Sequence, residues 1–462
     1  MHTSDLAHQA ARDFWYGLIN FEHRAPTPAD LKLDQMRALL ARLGDPHRRL
    51  RVLHVAGSKG KGSTAAMLAA ILRRAGYRTG LFTSPHLCRV EERFQVDGEL
   101  ISRDELTALL NEVRSVVCGE WSVGSKKNVP SHPTPHTPHT TPTFFEVATA
   151  VGFLHFVRRR VDVAVVEVGL GGRLDSTNVC DPVAALITSI SFDHTRQLGN
   201  RLASIAAEKA GIVKPGRPAL SGAVVPEARA VIERVCRERG APLRQLGVDF
   251  HYHYEPGRIS AQVTRPARVQ VTTLRRRWPL CDLNLLGEHQ AANAAVVVAC
   301  VEVLQERGWH LPDGAVAAGL AEVSWPARLE VMRRRPFVVL DCAHNVASAR
   351  ALVDTLVASF PPARRLLVFA GSSDKDLAGM FRVLAPHFAH AYLTRYTDNP
   401  RAVAAEELAA LWDTSGGGDR TPCHAPAEAW RAARDAAGPD DLVCVTGSVF
   451  LAGELRPLLL QE

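Results

Sequence analysis

This sequence predicts an α/β fold in two domains with mostly parallel sheet. Three observations predict it. Strand-like and helix-like runs alternate almost throughout the chain. Its 462 residues exceed what one ordinary core accommodates. A second alternating series begins after Trp325-Pro326, which places the boundary near residue 325.

The elements follow in order. Residues 51–56 form a short apolar strand leading through a Gly-rich loop into a helix over 63–75, rich in Ala, Leu, Ile and Met and stopped by Gly76. Residues 161–168 are an apolar, β-branched run suited to a buried central strand, and 185–190 repeat the pattern. A helix over 203–210 ends at Gly211. Beyond the boundary, 337–340 read as a strand, 346–360 as a helix, and 365–370, 391–394 and 442–445 as further strands. One stretch breaks the rhythm. Residues 126–142 are dense in Pro, Thr and His and bury too little apolar surface to fold alone, so about 119–142 is expected to be a flexible insertion. His132, His136 and His139 lie there, but a Pro-rich loop holds metal ligands poorly.

Composition excludes several classes. A hydrophobic share of 46% against 22% charged suits a soluble globular protein, and no apolar run is long enough to span a bilayer. The formal charge of +7 favours anionic substrates, yet no Lys/Arg block interleaves with aromatics, so nucleic acid is not expected. Short Arg clusters at 275–277 and 333–335 read as solvated surface. Nine cysteines without a CxxC pair argue against a disulfide framework and a thiolate zinc site. The N-terminus lacks an apolar signal core, leaving the cytoplasm as the expected location.

The stretch His54-Val-Ala-Gly57-Ser58-Lys59-Gly60-Lys61-Gly62-Ser63-Thr64 carries the most chemistry. A buried strand delivers a Gly-rich turn to a helix N-terminus, where backbone N–H groups and the helix dipole suit an anion. Lys61 would reach β- and γ-phosphates, and Ser63 or Thr64 would contact phosphate or magnesium. The pattern is a variant, GxxGKG[ST], because Val55 stands where the strict motif has its first Gly and Gly62 follows the Lys. The N-terminal domain is therefore expected to be a P-loop-type mononucleotide-binding domain binding ATP. Glu167 ends the 161–168 strand, where open α/β sheets place ligand-binding groups, and magnesium would give its carboxylate a partner. Asp193-His194 follows the next strand. Lys209, at a helix end, reads either as a cation on the helix dipole or as a neutral amine carbamylated by carbon dioxide; composition does not choose between them.

Taken in order, HVAGSKGKGST (54–64), TSPHL (83–87), ERFQVDGELIS (92–102), TFFE (143–146), VVEVGLGGRLDSTNV (165–179), ITSISFDHTRQLG (187–199), EKAGIVK (208–214), WPARLE (325–330), DCAHN (341–345) and GSSDKD (371–376) resemble the folylpolyglutamate synthase/dihydrofolate synthase family, a branch of the Mur ligases. The resemblance implies a catalytic ATP-binding domain over 1–325 and a smaller, doubly wound, Rossmann-like glutamate-ligase domain over 326–462. It implies an amide ligase that adds L-glutamate to dihydropteroate or to the γ-carboxyl of a folate, through an acyl phosphate. Its cofactors would be ATP and two Mg2+ ions, with K+ as a further candidate. By similarity Ser84, Glu167 and His194 hold one magnesium, with Lys209 carbamylated near the second; Asn293, Arg328 and Asp341 serve ATP. The pterin-bearing substrate lies near Thr143, Phe145 and Asp175, and His344 serves the glutamate side. Monomers are the family's habit. Ser58-Lys59 departs from the family's usual Thr-Asn. Two other readings stand beside this one: a Mur-type ligase for a cell-wall precursor, and a nucleotide-binding module without catalysis.

Overall fold

The computed structural model describes residues 3–22, 30, 32–124, 141–193, 195–361, 364–397 and 399–461. These divide into two compact units. The first comprises Met1–His86, Glu91–Gln245 and Cys300–Leu311; the second comprises Leu87–Val90, Leu246–Ala299 and Pro312–Glu462.

An eight-stranded sheet organises the first unit, in the order Glu99–Leu100, Phe94–Val96, Thr79–Phe82, Val163–Glu167, Val52–Ala56, Pro182–Ile187, Ala219–Ser221, Leu243–Gln245. Pairing is parallel from Thr79–Phe82 onward and antiparallel among the first three strands. Val52–Ala56 and Val163–Glu167 are buried at every position, as parallel strands covered on both faces must be. Their residue types follow: Val, Leu and Ala with one His and one terminal Glu. The helix Lys61–Arg74 packs behind them, burying Met67, Leu68, Ile71 and Leu72, each contributing about 1.5–3 kcal/mol. Arg73 and Arg74 occupy its last turn, where cations suit the dipole.

The second unit holds a six-stranded sheet, Glu330–Arg334, Phe337–Leu340, Leu442–Thr446, Arg365–Phe369, His390–Leu393, Asp419–Pro422, parallel except for its first strand. The helix Val346–Ser359 connects Phe337–Leu340 to Arg365–Phe369, and Val449–Leu459 follows the strand Leu442–Thr446. This unit also contains an antiparallel sheet of Phe250–Glu255, Ala267–Thr273 and Cys281–Leu283, which the expected mostly parallel reading did not include. Its strands are short and half polar, so they carry no continuous apolar run. Arg276 belongs here. Expected as solvated surface, it lies 3.6 Å from the Trp278 ring centroid and pairs with Asp313 at 2.8 Å.

Other differences are local. The helix Arg103–Gly124 runs into the region expected as insertion, carrying Gly119 in its interior at a cost of about 1 kcal/mol relative to Ala. Residues 125–140, with the three histidines of the insertion, lie outside the described residues. Among the described residues no helix is long and apolar enough to cross a membrane.

Candidate active site

The central strand and its two neighbours end side by side, so their C-terminal loops are brought together by the sheet itself. From Val52–Ala56 comes the Gly-rich loop. Gly60 adopts φ +80, a left-handed conformation that glycine takes without strain, and Lys61 is the first helical residue. A Cβ on Gly57 would overlap the Thr188 hydroxyl, so this position also demands glycine. Thr188 and Ser189 both donate to the Lys59 carbonyl, and Lys59 N donates to Ser189 Oγ at 3.1 Å. Ser58 Oγ donates to Ser191 O at 2.9 Å and accepts from Ser191 N at 3.0 Å. The loop is thus strapped to segment 188–191 before any ligand arrives. Sequence reading missed these straps, because serines and threonines after a strand are common and their partners lie more than 120 residues away.

Lys59 Nζ lies 2.5 Å from Asp193 Oδ2, with the carboxylate nearly buried. This accounts for a lysine at position 59: Asp193 holds its charge in the loop. Thr64 Oγ1 is buried with no hydrogen-bond partner among the described residues, which suits a ligand oxygen. Gly62 and Ser63 are buried beside it in the first helical turn.

Glu167 is 5% exposed at the end of its strand and accepts a hydrogen bond from Ser84 N at 3.2 Å. Lys209 is 4% exposed, not the surface cation that its helix-end position also allowed. Its pKa is brought down to about 7, chiefly by burial, then by repulsion from Lys61, against attraction from Asp193. Close packing causes the burial: a Cβ on Gly172 would come within 2.7 Å of Glu208 O and 3.0 Å of Lys209 Cα. His194 lies outside the described residues. Among the described residues no group of three His, Cys, Asp or Glu side chains forms a ready metal cage. Magnesium needs none. A buried carboxylate beside a serine supplies the hard oxygen donors it takes, with phosphate and water completing the shell, so the residues present fit that ion better than zinc.

Phe145 and Asp175 flank the next surface. The Phe145 ring lies over Gly169, whose Cβ would approach it to 2.6 Å. Thr143 caps helix Phe144–Arg158 through a capping box with Glu146: its hydroxyl donates to Glu146 Oε2 at 3.0 Å and accepts from Glu146 N at 3.2 Å. A substrate contact by Thr143 would use only its remaining lone pair. Asp175, 5% exposed, accepts from Leu170 N at 2.8 Å, Thr177 N at 3.0 Å and Thr177 Oγ1 at 2.5 Å. Burial pushes its carboxyl pKa up while these donors pull it down. Thr177 Oγ1 also meets His54 Nε2 at 2.8 Å. Because the Thr177 proton goes to Asp175, His54 must donate through Nε2, leaving Nδ1 to face the Cys180 thiol at 3.6 Å. Burial holds His54 neutral, with a pKa down to about 3. Asp175→Asn would set an amide NH2 against a backbone donor at Leu170 or Thr177. An expected loss of about 1–3 kcal/mol should appear as a lower urea midpoint, and an unchanged midpoint would dismiss this network.

The second unit carries Asn293, Arg328, Asp341 and His344. Arg328 sits between Ala327 at φ +54 and Leu329 at φ +49, two non-glycine residues in left-handed geometry. That turn is pinned at both ends. Glu330 accepts from Ala327 N at 2.9 Å, and Asp341 Oδ2 accepts from Leu329 N at 3.0 Å. Arg456 in turn clamps Glu330, at 2.7 Å for the nearest pair. Asp341 also accepts from Ala343 N at 2.7 Å; burial raises its pKa and Arg328 opposes that. His344 Nδ1 contacts Cys342 O at 2.9 Å, and Asn293 donates to Gln290 Oε1 at 3.0 Å. The helix that follows His344, Val346–Ser359, is capped by Asn345, whose side chain accepts from Ser348 N.

Residues 55–301 match the family described as Mur ligase middle domain, and 327–449 match Mur ligase, glutamate ligase domain. The chain is 35% identical over 457 residues to a dihydrofolate synthase/folylpolyglutamate synthase of Bacillus subtilis, covering 98% of this chain and 99% of that protein. It is 32% identical to the Escherichia coli protein of the same description, covering 98% and 96%. Among solved structures, Mycobacterium tuberculosis folylpolyglutamate synthase complexed with ADP and AMPPCP superimposes with a TM-score of 0.85 at 32% identity, covering 99% of each chain. E. coli FolC in complex with DHPP and ADP gives 0.82 at 31% identity, covering 97% of each.

Proposed function

The chain belongs to the folylpolyglutamate synthase/dihydrofolate synthase family of Mur ligases, and from that premise we propose how its own residues carry out ligation. It is an ATP-dependent ligase that adds glutamate to a folate or dihydropteroate. The problem such an enzyme meets is chemical. A carboxylate carbon is a weak electrophile, and oxide is a poor leaving group. Transfer of the γ-phosphoryl of ATP to the acceptor carboxylate breaks the β,γ bridge and releases ADP. The glutamate amine then attacks the acyl carbon, the bond to the phosphate oxygen breaks, and inorganic phosphate leaves with the amide formed. The amine's surplus proton passes to solvent.

In this reading the loop 57–64 cradles the triphosphate. Lys61 at the head of its helix neutralises charge that grows on the moving phosphoryl group. Lys59, held by Asp193, and the Thr188/Ser189 straps keep that loop in its binding shape without reorganisation at the moment of reaction. Magnesium, when bound, supplies Lewis-acid charge neutralisation; Ser84, Glu167, His194 and a carbamylated Lys209 would hold its two ions, and K+ is a further candidate. Phe145 offers an aromatic face and Asp175 a buried acceptor to the substrate's ring system, with Thr143 beside them. Asn293, Arg328 and Asp341 serve the nucleotide and His344 the glutamate. The division at residue 325, a monomeric assembly and a cytoplasmic location belong to the same proposal.

One observation carries it: a strand, a pre-strapped Gly-rich turn and Lys61 at a helix N-terminus, with Glu167 ending the adjacent strand. The test uses purified protein with ATP, magnesium and glutamate, offered dihydropteroate and tetrahydrofolate in separate assays. Glutamate-dependent ADP release is expected with one or both. Turnover of a UDP-linked acceptor in their place would overturn the acceptor assignment.

A further inference from the structure

Away from the phosphate loop, the first unit contains an open cavity of about 610 Å³ whose lining carries Lys32, Arg37, Arg173, Lys214 and Arg239 against a single acid, Asp34. Four separate chain segments bring these cations together: the entrance of helix Asp34–Arg42, the loop after Val163–Glu167, the turn after Leu202–Ala210, and the end of Pro226–Glu238. Gathering like charges costs free energy unless something of opposite sign offsets it.

The protein offsets only part of it. Arg37 meets Asp34 at 3.4 Å, but both side chains are well exposed, and such pairs contribute little. Arg173 pairs with Glu208 at 2.8 Å. The other three have no carboxylate partner among the described residues. Lys214 donates to Asn178 O at 2.8 Å, and Arg239 donates to the carbonyls of Gly211 and Val213. Burial, with repulsion from Arg239 and Arg37, holds the Lys214 ammonium below the usual lysine range; Asp181 pulls the other way but is itself paired with Arg217. Carbonyls orient these groups without cancelling their charge.

We propose that this cavity is a binding site for a small multivalent oxyanion, phosphate- or polycarboxylate-bearing, distinct from the nucleotide and acceptor sites. Its volume lies within the range of small-molecule pockets. Two or more anionic groups would each find a cation, and the Asn178–Gly211 and Arg239–Gly211 hydrogen bonds already hold the floor in place. Its occupancy would also reach the reaction centre. Arg173 lines the cavity and bonds Glu208 through both side chain and backbone, and Glu208 precedes the buried Lys209. An anion that drew the Arg173 guanidinium toward itself would loosen that clamp.

The test is calorimetric titration of ADP-saturated protein with pyrophosphate in one arm and citrate in the other. Saturable, salt-sensitive binding is expected in at least one arm, and which arm responds identifies the phosphate or carboxylate source. Lys214→Gln with Arg239→Gln should weaken that binding by about tenfold or more and leave ADP affinity within about twofold. Should that pair fail to fold, Lys32→Gln with Arg37→Gln, both at exposed positions, should weaken it by about threefold or more. Absence of saturable binding of either anion up to about 10 mM, or binding indifferent to the folded variants, would overturn the proposal.

Discussion

Lys61→Ala is expected to lower glutamate-dependent ADP release by about a thousandfold, the scale at which a preorganised group on developing charge acts. The argument is positional. Lys61 heads a helix whose interior is almost wholly buried, so its backbone has no freedom to move aside. Gly60 sets the turn, and the Lys59 carbonyl is fixed by two hydroxyls. Removing the ammonium therefore leaves the loop standing and removes only its charge. ADP should still bind, held by the remaining amides, while kcat falls far more than affinity. Turnover within about tenfold of wild type would take the loop out of the chemistry. Loss of ADP binding together with a lowered melting temperature would mean that the residue is structural instead.

The local parts of this site were legible because their physics is local. A β-branched run, a glycine spacing and an Ala/Leu helix identify a strand–loop–helix wherever they occur, and the observed Val52–Ala56 and Lys61–Arg74 match the expected elements to within about two residues. Glu167 was equally readable, since an acid that ends an otherwise apolar strand lacks a structural reason for its place. The strand and helix of the second unit, Phe337–Leu340 and Val346–Ser359, were read on the same grounds.

What escaped was long-range or two-sided. Lys59 departs from the family pattern, but its partner Asp193 lies 134 residues away, and no periodicity links them. The chain His54–Thr177–Asp175 joins a strand residue to a 3-10 turn and its N-cap, 123 residues from His54 to Thr177, so its hydrogen bonds exist only after the sheet has formed. Short polar strands such as Ala267–Thr273 gave no apolar run to read, although their burial does alternate. Arg276 shows the same limit from the surface side: Arg275 and Arg277 are exposed as expected, and Arg276 between them is half-buried against Trp278 and paired with Asp313.

Lys209 is where local reading left two roles open and tertiary packing bears on the choice, and Lys209→Ala is expected to abolish most turnover, by about a hundredfold or more. A dipole-capping lysine would be exposed, and its loss would cost a few tenths of a kcal/mol. This one is 4% exposed beneath Gly172, with its pKa brought to about 7 by burial and by Lys61. The sign of the consequence follows. Between about pH 7 and the ordinary lysine value the folded protein binds fewer protons at this site than the unfolded chain, so the site's contribution to stability rises with pH across that window and is least favourable below it. That neutral amine attacks the carbon of carbon dioxide: the C–N bond forms as a C=O π pair moves to oxygen, one proton leaves, and a buried neutral amine becomes an anion able to hold a metal. Activity should therefore climb as pH rises through about 7, and more steeply with bicarbonate than in degassed buffer. In the alanine variant a short carboxylic acid such as acetate should restore part of the rate, because it fits the space and returns the lost charge. If Lys209→Ala stays fully active, or if neither bicarbonate nor acetate has any effect, the buried amine is a packing element and the carboxylate at that position must come from elsewhere.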